Sequence, residues 1–176
     1  MEKTLVNLIK KMSGTTLGIG IESEMIKDSI QKNDNIKTCY LLEENTSGFS
    51  KKKFKFNKKF KTINIKKIRK VFKKKRIDNL ICNYHSVKPF LKTFIKDSVY
   101  INKDKLYIYG QKTDLQSLIK KYNRYTDAIE IKEDKNQFLL IIDNSKAKNK
   151  KLKDIIYWWS DTIENIIDFL TVFLVN

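Results

Sequence analysis

The chain alternates between short apolar segments rich in β-branched residues and longer segments with apolar residues at helical spacing, and this order constrains the fold most. After an amphipathic first helix, "TTLGIGI" predicts a strand, "SEMIKDSIQKN" a helix capped by Ser23, and "IKTCYLL" a second strand. The order repeats with "DNLICNYH", "VKPFLKTFIKDSV", "KLYIYG" and "TDLQSLIKKYNRY". This alternation predicts an α/β fold, with a mostly parallel sheet and helices on both faces.

The end of the chain departs from that alternation. "AIEIKED" and "QFLLIID" are separated by "KN" and predict a C-terminal antiparallel hairpin. We predict one α/β domain over residues 1–144, a basic linker over 145–153 and an extra amphipathic helix over 154–176. Acidic residues within that last helix argue against a bilayer span. The helix is therefore expected to pack on the domain, to form a homodimer or to dock on a protein partner.

The positive charge of the chain is concentrated in one segment. The formal net charge is +17, and residues 51–76 contain 15 Lys or Arg and no acid, while the other bases nearly balance the 20 acids. Such a ridge neutralises phosphates, and its phenylalanines (Phe54, Phe56 and Phe60) offer surfaces for stacking unpaired bases. RNA or another polyanion is the predicted partner. A solvated lysine-rich face, which an AT-rich genome would favour, and contact with an anionic membrane surface are the alternatives. The proposed nucleic-acid contacts are Lys51, Lys52, Lys53, Lys55, Lys58 and Lys59.

Cysteine usage and the first residues bear on location and on metal binding. Cys39 and Cys82 lie in apolar segments, and their spacing fits no zinc or redox motif, so we expect buried thiols and no metal. The first residues carry no long apolar stretch typical of a signal peptide. Both observations predict a cytoplasmic protein.

Short motifs follow the predicted parallel strands, where ligands of α/β sheets bind. "LGIGIESE" places Gly18, Gly20 and Glu22 after the first strand, and "LLEEN" ends the second strand on two carboxylates. "INI" contains Asn64 near the predicted third strand, which we place at residues 60–63. "NYH" ends the fourth strand with Asn83, Tyr84 and His85.

This layout resembles the class I S-adenosylmethionine-dependent methyltransferases over residues 15–143. The resemblance implies a Rossmann-like fold in which Gly18 and Gly20 form the cofactor loop, Glu43 binds the ribose and Asn64 meets the adenine. It also implies that Asn83 and Tyr84 face the methyl group, with His85 as a candidate general base.

The sequence departs from the family pattern in three places. Glu22 stands at the third glycine position of the loop, and Thr15 and Thr16 stand where an acid is usual. The helix between the second and third strands is replaced by a basic insert, residues 46–62. Glu22 would either bind the amino group of the cofactor or block the loop.

Three functions stay open from the sequence. The first is a small methyltransferase that uses S-adenosylmethionine and acts on RNA or another polyanion. The second is a catalytically inactive module of the same fold that binds nucleic acid through residues 51–76. The third is a self-associating interaction protein that pairs through the 154–176 helix.

Overall fold

The described part of the chain folds as one sheet between two layers of helices. The computed structural model describes residues 1–42, 76–123 and 128–146, together with residues 68, 72 and 126. The strands are β1 (Gly14–Ile19), β2 (Ile36–Leu42), β3 (Ile77–Asn83), β4 (Asn102–Gln111), β5 (Ile129–Asp134) and β6 (Gln137–Asp143). The helices are α1 (Glu2–Ile9), α2 (Glu24–Gln31), α3 (Tyr84–Val87), α4 (Leu91–Ile101) and α5 (Leu115–Tyr122), with 3-10 turns at Lys88–Phe90, Lys112–Asp114 and Asn144–Lys146.

The sheet has the strand order β2-β1-β3-β4-β6-β5. Strands β2, β1, β3 and β4 are parallel, whereas β6 pairs antiparallel with β4 and with β5. The predicted parallel sheet and its closing hairpin are therefore confirmed. The chain leaves β1 toward β2 and later returns to β3 on the other side of β1, so the connections change direction between β1 and β3. Such a switch point opens a crevice at the carboxyl ends of the two strands.

Helices cover both faces of this sheet, as the sequence predicts. One apolar cluster contains Leu5 and Ile9 of α1 and Ile26 and Ile30 of α2. The other cluster joins the opposite face to α4, α5, Ile68 and Phe72. The Phe72 amide donates a hydrogen bond to the Ile68 carbonyl at 2.9 Å, as in a helix.

Three bounds of the predicted elements are wrong. Strand β1 begins at Gly14 and ends at Ile19, and Ile21 lies beyond it. Strand β4 continues past Gly110 because β6 still pairs there. The strand "DNLICNYH" ends at Asn83, because the Asn83 side chain accepts a hydrogen bond from the His85 amide at 3.1 Å and caps α3.

A buried amide joins three segments at the amino edge of the sheet. Asn102 Nδ2 lies 3.3 Å from the Ile77 carbonyl oxygen, 3.2 Å from that of Asp78 and 3.0 Å from that of Lys105. Asn102 Oδ1 accepts a hydrogen bond from Asn144 Nδ2 at 2.9 Å. Because Asn102 is fully buried, these hydrogen bonds satisfy polar groups that water does not reach.

Both cysteines are buried free thiols, as predicted, and burial raises the pKa of Cys82. In the described ranges, no helix is both long enough and apolar enough to cross a bilayer. The first two residues of the predicted linker, 145 and 146, belong to the last 3-10 turn, and the remainder of the linker lies outside the described residues. The predicted third strand and the 154–176 helix also lie outside them.

Candidate cofactor site at the β1–β3 switch point

The loop after β1 meets the end of β3 at the switch point. A Cβ placed on Gly20 would lie 3.5 Å from the Asn83 Cβ. In the sheet register, Ile19 is the partner of Cys82 and Asn83 is the partner of Tyr109, so Gly20, Asn83 and Tyr109 follow one row across the carboxyl edge. The structure therefore brings together Gly20 and Asn83, which are far apart in the sequence.

Gly20 has a backbone conformation that favours glycine. Its φ is +60°, in the left-handed region, and a Cβ there would lie 2.5 Å from the Ser86 Cβ. The Gly20 amide donates a hydrogen bond to the Leu42 carbonyl at 2.8 Å. The chain's own packing thus requires glycine at this position, whether or not a ligand approaches the loop.

Gly18 lies in a packed position, where two apolar side chains would have to move to admit a larger residue. A Cβ at Gly18 would lie 2.5 Å from Ile21 Cδ1 and 2.6 Å from Leu41 Cδ2. Thr16 lies on the same face of β1, two residues earlier, and is fully buried. Within the described residues, Thr16 Oγ1 has no hydrogen-bond partner. Thr16 therefore places a buried hydroxyl in β1, two residues before Gly18.

The start of α2 and the side chain of Glu22 border the same loop. Ser23 caps α2 and accepts a hydrogen bond from the Ile26 amide at 3.5 Å. Glu22 is exposed, so its carboxylate does not fill the turn. Its charge nevertheless reaches Tyr109, whose pKa is raised by burial first and further by Cys82, Glu22 and Glu2. A positively charged group at the loop would therefore meet an available carboxylate.

The three predicted catalytic residues have different surroundings. Asn83 Oδ1 caps α3, and among the described residues Asn83 Nδ2 has no acceptor. His85 is exposed. Tyr84 is only 4% exposed, and its ring centroid lies 6.3 Å from that of Phe138 in an edge-to-face contact. The structure places the Tyr84 ring in the apolar core, beside Gly110.

Lys88, directly after α3, forms an ion pair with Asp114. Lys88 Nζ lies 3.0 Å from Asp114 Oδ1 and 5.9 Å from the centroid of the Tyr84 ring. The hydrogen bond to Asp114 raises the pKa of Lys88. Burial raises the pKa of Tyr84, and the Asp114 charge adds to this effect while Lys88 opposes it. Tyr84 and Lys88 therefore keep their protons near neutral pH.

Several predicted site residues lie outside the described part of the chain. They are Glu43, Asn64 and the lysines at 51, 52, 53, 55, 58 and 59. Sequence reasoning also missed Ser86 and Tyr109, which both contact Gly20. Among the described residues, no three His, Cys, Asp or Glu side chains are grouped so that they could hold a metal ion.

The fold is shared with several solved methyltransferase structures. A predicted O-methyltransferase from Agrobacterium tumefaciens superposes with a TM-score of 0.59 and 9% identity, over 83% of this chain and 81% of that one. An S-adenosylmethionine-dependent methyltransferase from Archaeoglobus fulgidus gives 0.57 and 11%, over 81% and 93%. A putative RNA methyltransferase from Pyrococcus horikoshii gives 0.51 and 14%, over 84% and 82%.

Comparisons of sequence gave no match, whereas comparisons of structure did. No family model matches the chain, and no curated protein matches it. Identities of 9–14% in the three superpositions support an inference about fold alone. The superpositions extend over more than four-fifths of this chain, and the described chain has the Rossmann-like fold of the class I methyltransferases.

Proposed function

We propose that this chain is a methyltransferase that uses S-adenosylmethionine. The observation that carries the proposal is the meeting of Gly20 and Asn83 at the β1–β3 switch point of a methyltransferase-like sheet. Ligands of such sheets bind in this crevice, and the turn into α2 presents backbone N–H groups there. The cofactor supplies a methyl group on a sulfonium, and the protein has to align it with a nucleophile.

The residues around the crevice fit the polar parts of this cofactor. Glu22 offers an exposed carboxylate for the ammonium group, and Asn83 Nδ2 offers a hydrogen-bond donor. Leu42, the residue before Glu43, contacts the Gly20 amide through its carbonyl oxygen, which supports Glu43 as the ribose ligand. Asn64 stays the proposed adenine contact. Because its ring packs in the core, Tyr84 receives a packing role, and His85 is the exposed candidate for taking a proton from the acceptor.

Calorimetric titration with S-adenosylmethionine and S-adenosylhomocysteine tests the proposal. We expect micromolar affinity, together with a higher melting temperature, because a ligand that binds only the folded protein raises its stability. No heat of binding and no thermal shift at millimolar ligand would refute the proposal that the chain is a methyltransferase. The nucleic-acid-binding module and the self-associating protein would then be the remaining functions.

The same titration, repeated with variants, tests whether the cofactor binds at the loop that contains Glu22. Glu22→Gln keeps the shape of the side chain and should weaken S-adenosylhomocysteine binding by about fivefold to tenfold, since it removes one charge-assisted hydrogen bond. Glu130→Gln, at an exposed acid of β5, should leave the affinity unchanged. A Glu22→Gly variant that binds more tightly than wild type would show that Glu22 obstructs the loop instead.

We further propose that the methyl acceptor is RNA or another polyanion. The 15 bases of residues 51–76 support this substrate class, because phosphate neutralisation releases counterions and favours binding. The putative RNA methyltransferase from Pyrococcus horikoshii shares the fold and gives additional support. The acceptor would approach the same carboxyl edge of the sheet as Asn83 and His85.

The salt dependence of RNA binding tests this substrate class. Changing Lys51, Lys52, Lys53, Lys55, Lys58 and Lys59 to Gln should reduce the slope of log K against log salt by up to about four for single-stranded RNA. The matched control changes six exposed lysines elsewhere, Lys3, Lys10, Lys11, Lys37, Lys120 and Lys121. Equal losses in the two variants would mean that the segment makes no special contact.

A further inference from the structure

Tyr109 reaches the glycine loop from β4, two strands away from β1. Its hydroxyl lies 3.5 Å from the Gly20 carbonyl oxygen and donates a hydrogen bond to it. The ring packs against the apolar cluster that α1 and α2 cover. Burial and the charges of Glu22 and Glu2 raise the pKa of Tyr109, so the hydroxyl keeps its proton and donates across the physiological pH range.

Three neighbouring elements hold the one residue Gly20. Leu42 of β2 binds its amide, Ser86 of α3 packs against its Cα, and Tyr109 of β4 binds its carbonyl group. Glycine has the largest conformational freedom of any residue, so an unrestrained glycine turn would sample many orientations. Contacts at the amide, the Cα and the carbonyl leave the peptide between Gly20 and Ile21 a single orientation.

We propose that Tyr109 is a positioning residue that fixes the Gly20–Ile21 peptide, and with it the loop that binds the cofactor. The inference rests on the proposed function for the identity of the ligand, but the contact itself does not. Tyr109 acts through Gly20 and touches no reacting atom. Asn83, the partner of Tyr109 in the sheet register, lies between Tyr109 and the loop. The same row of residues therefore contains Asn83, the proposed hydrogen-bond donor to the cofactor, and Tyr109, which supports the turn.

Tyr107 provides a matched control on the same strand and the same face. It is 4% exposed, belongs to the same apolar cluster, and has its pKa raised to about 12 by burial first and then by Asp143, Glu130 and Asp104. Asp143 ends β6, Glu130 lies in β5 and Asp104 lies near the start of β4, so all three acids are away from the loop. Removing the Tyr107 hydroxyl therefore makes the same chemical change in a similar environment without a contact to Gly20.

The test compares Tyr109→Phe and Tyr107→Phe in ¹⁵N-labelled protein. In Tyr109→Phe, amide exchange at Gly20 should accelerate by about threefold to tenfold, because one hydrogen bond no longer opposes local opening. The ¹⁵N resonance of Ile21 should move, since its amide shares the peptide group whose carbonyl loses a donor. Exchange at Leu80 and Ile108 in the central strands should not change, and Tyr107→Phe should leave Gly20 and Ile21 as in wild type.

Titration with S-adenosylhomocysteine separates this inference from the proposed function. Weaker binding by about the same factor in Tyr109→Phe, with unchanged binding in Tyr107→Phe, supports both. If wild type binds no cofactor but Gly20 and Ile21 respond to Tyr109→Phe, the support of the loop stands and the proposed function fails. Unchanged Gly20 exchange, or an equal increase at Leu80 and Ile108, would overturn the inference.

Discussion

Gly20→Ala is expected to destabilise the protein by about 2–5 kcal/mol, even with no cofactor present. A left-handed backbone costs alanine about 1–2 kcal/mol, and overpacking a filled site costs about 1–3 kcal/mol. Both apply at Gly20, where φ is +60° and the new Cβ would lie 2.5 Å from the Ser86 Cβ. Urea unfolding followed by circular dichroism measures the loss as a lower midpoint at unchanged slope.

A second substitution separates the two causes. Ser86→Gly opens the space that the new Cβ needs, so the double variant should recover the overpacking part, about 1–3 kcal/mol, and retain the backbone part. A Gly20→Ala variant with the wild-type midpoint would contradict the left-handed turn. Simple additivity of the two substitutions would contradict the contact between Gly20 and Ser86.

This prediction also changes how a loss of cofactor binding at Gly20 should be interpreted. Because the chain's own Ser86 requires the glycine, a Gly20→Ala protein that fails to bind would not demonstrate contact with the cofactor. Substitution of the exposed Glu22 is the more direct test, since its side chain supports no packing in the described structure. Gly20 is thus needed by the turn itself, whereas Glu22 could touch a ligand without supporting the turn.

The sequence predicts the sheet well because apolar periodicity records which positions are buried. "IEIKED" and "QFLLIID" form the predicted antiparallel hairpin. Ile26 and Ile30, four residues apart on α2, are both buried. The meeting of Gly20 with Asn83 also follows from the sequence, because the carboxyl ends of parallel strands share one edge. These results depend on local pattern and on topology alone.

The rest of the site depends on tertiary distances that no local pattern contains. Ser86 contacts Gly20 because α3 begins directly after Asn83, and Tyr109 does so because the register places it opposite Asn83. The resemblance implies that Tyr84 faces the methyl group, yet its ring packs on Phe138. Glu43 and Asn64 lie outside the described residues and stay predictions.

Asn102→Asp should be the most damaging isosteric change at the opposite edge of the sheet. The substitution replaces a donor by an acceptor that faces the carbonyl groups of Ile77, Asp78 and Lys105 in a fully buried position. An unpaired buried charge of this kind costs about 3–5 kcal/mol near neutral pH. Asn136→Asp, in the exposed β5–β6 turn, makes the same chemical change and should stay within about 0.5 kcal/mol of wild type.

The pH dependence distinguishes a buried charge from a lost hydrogen bond. The three carbonyl oxygens disfavour the ionised carboxyl, so its pKa in the folded protein should rise above the unfolded value of about 3.9. Below that pH the carboxyl is protonated in both states and can donate to one carbonyl, so the penalty should shrink to about 1–2 kcal/mol. As the pH rises above about 4, the unfolded chain releases the proton first, and the stability of the variant falls relative to wild type. Urea unfolding at several pH values measures this difference, and an equal penalty in acid and at neutral pH would show that Asn102 does not meet the three carbonyl groups in a dry interior.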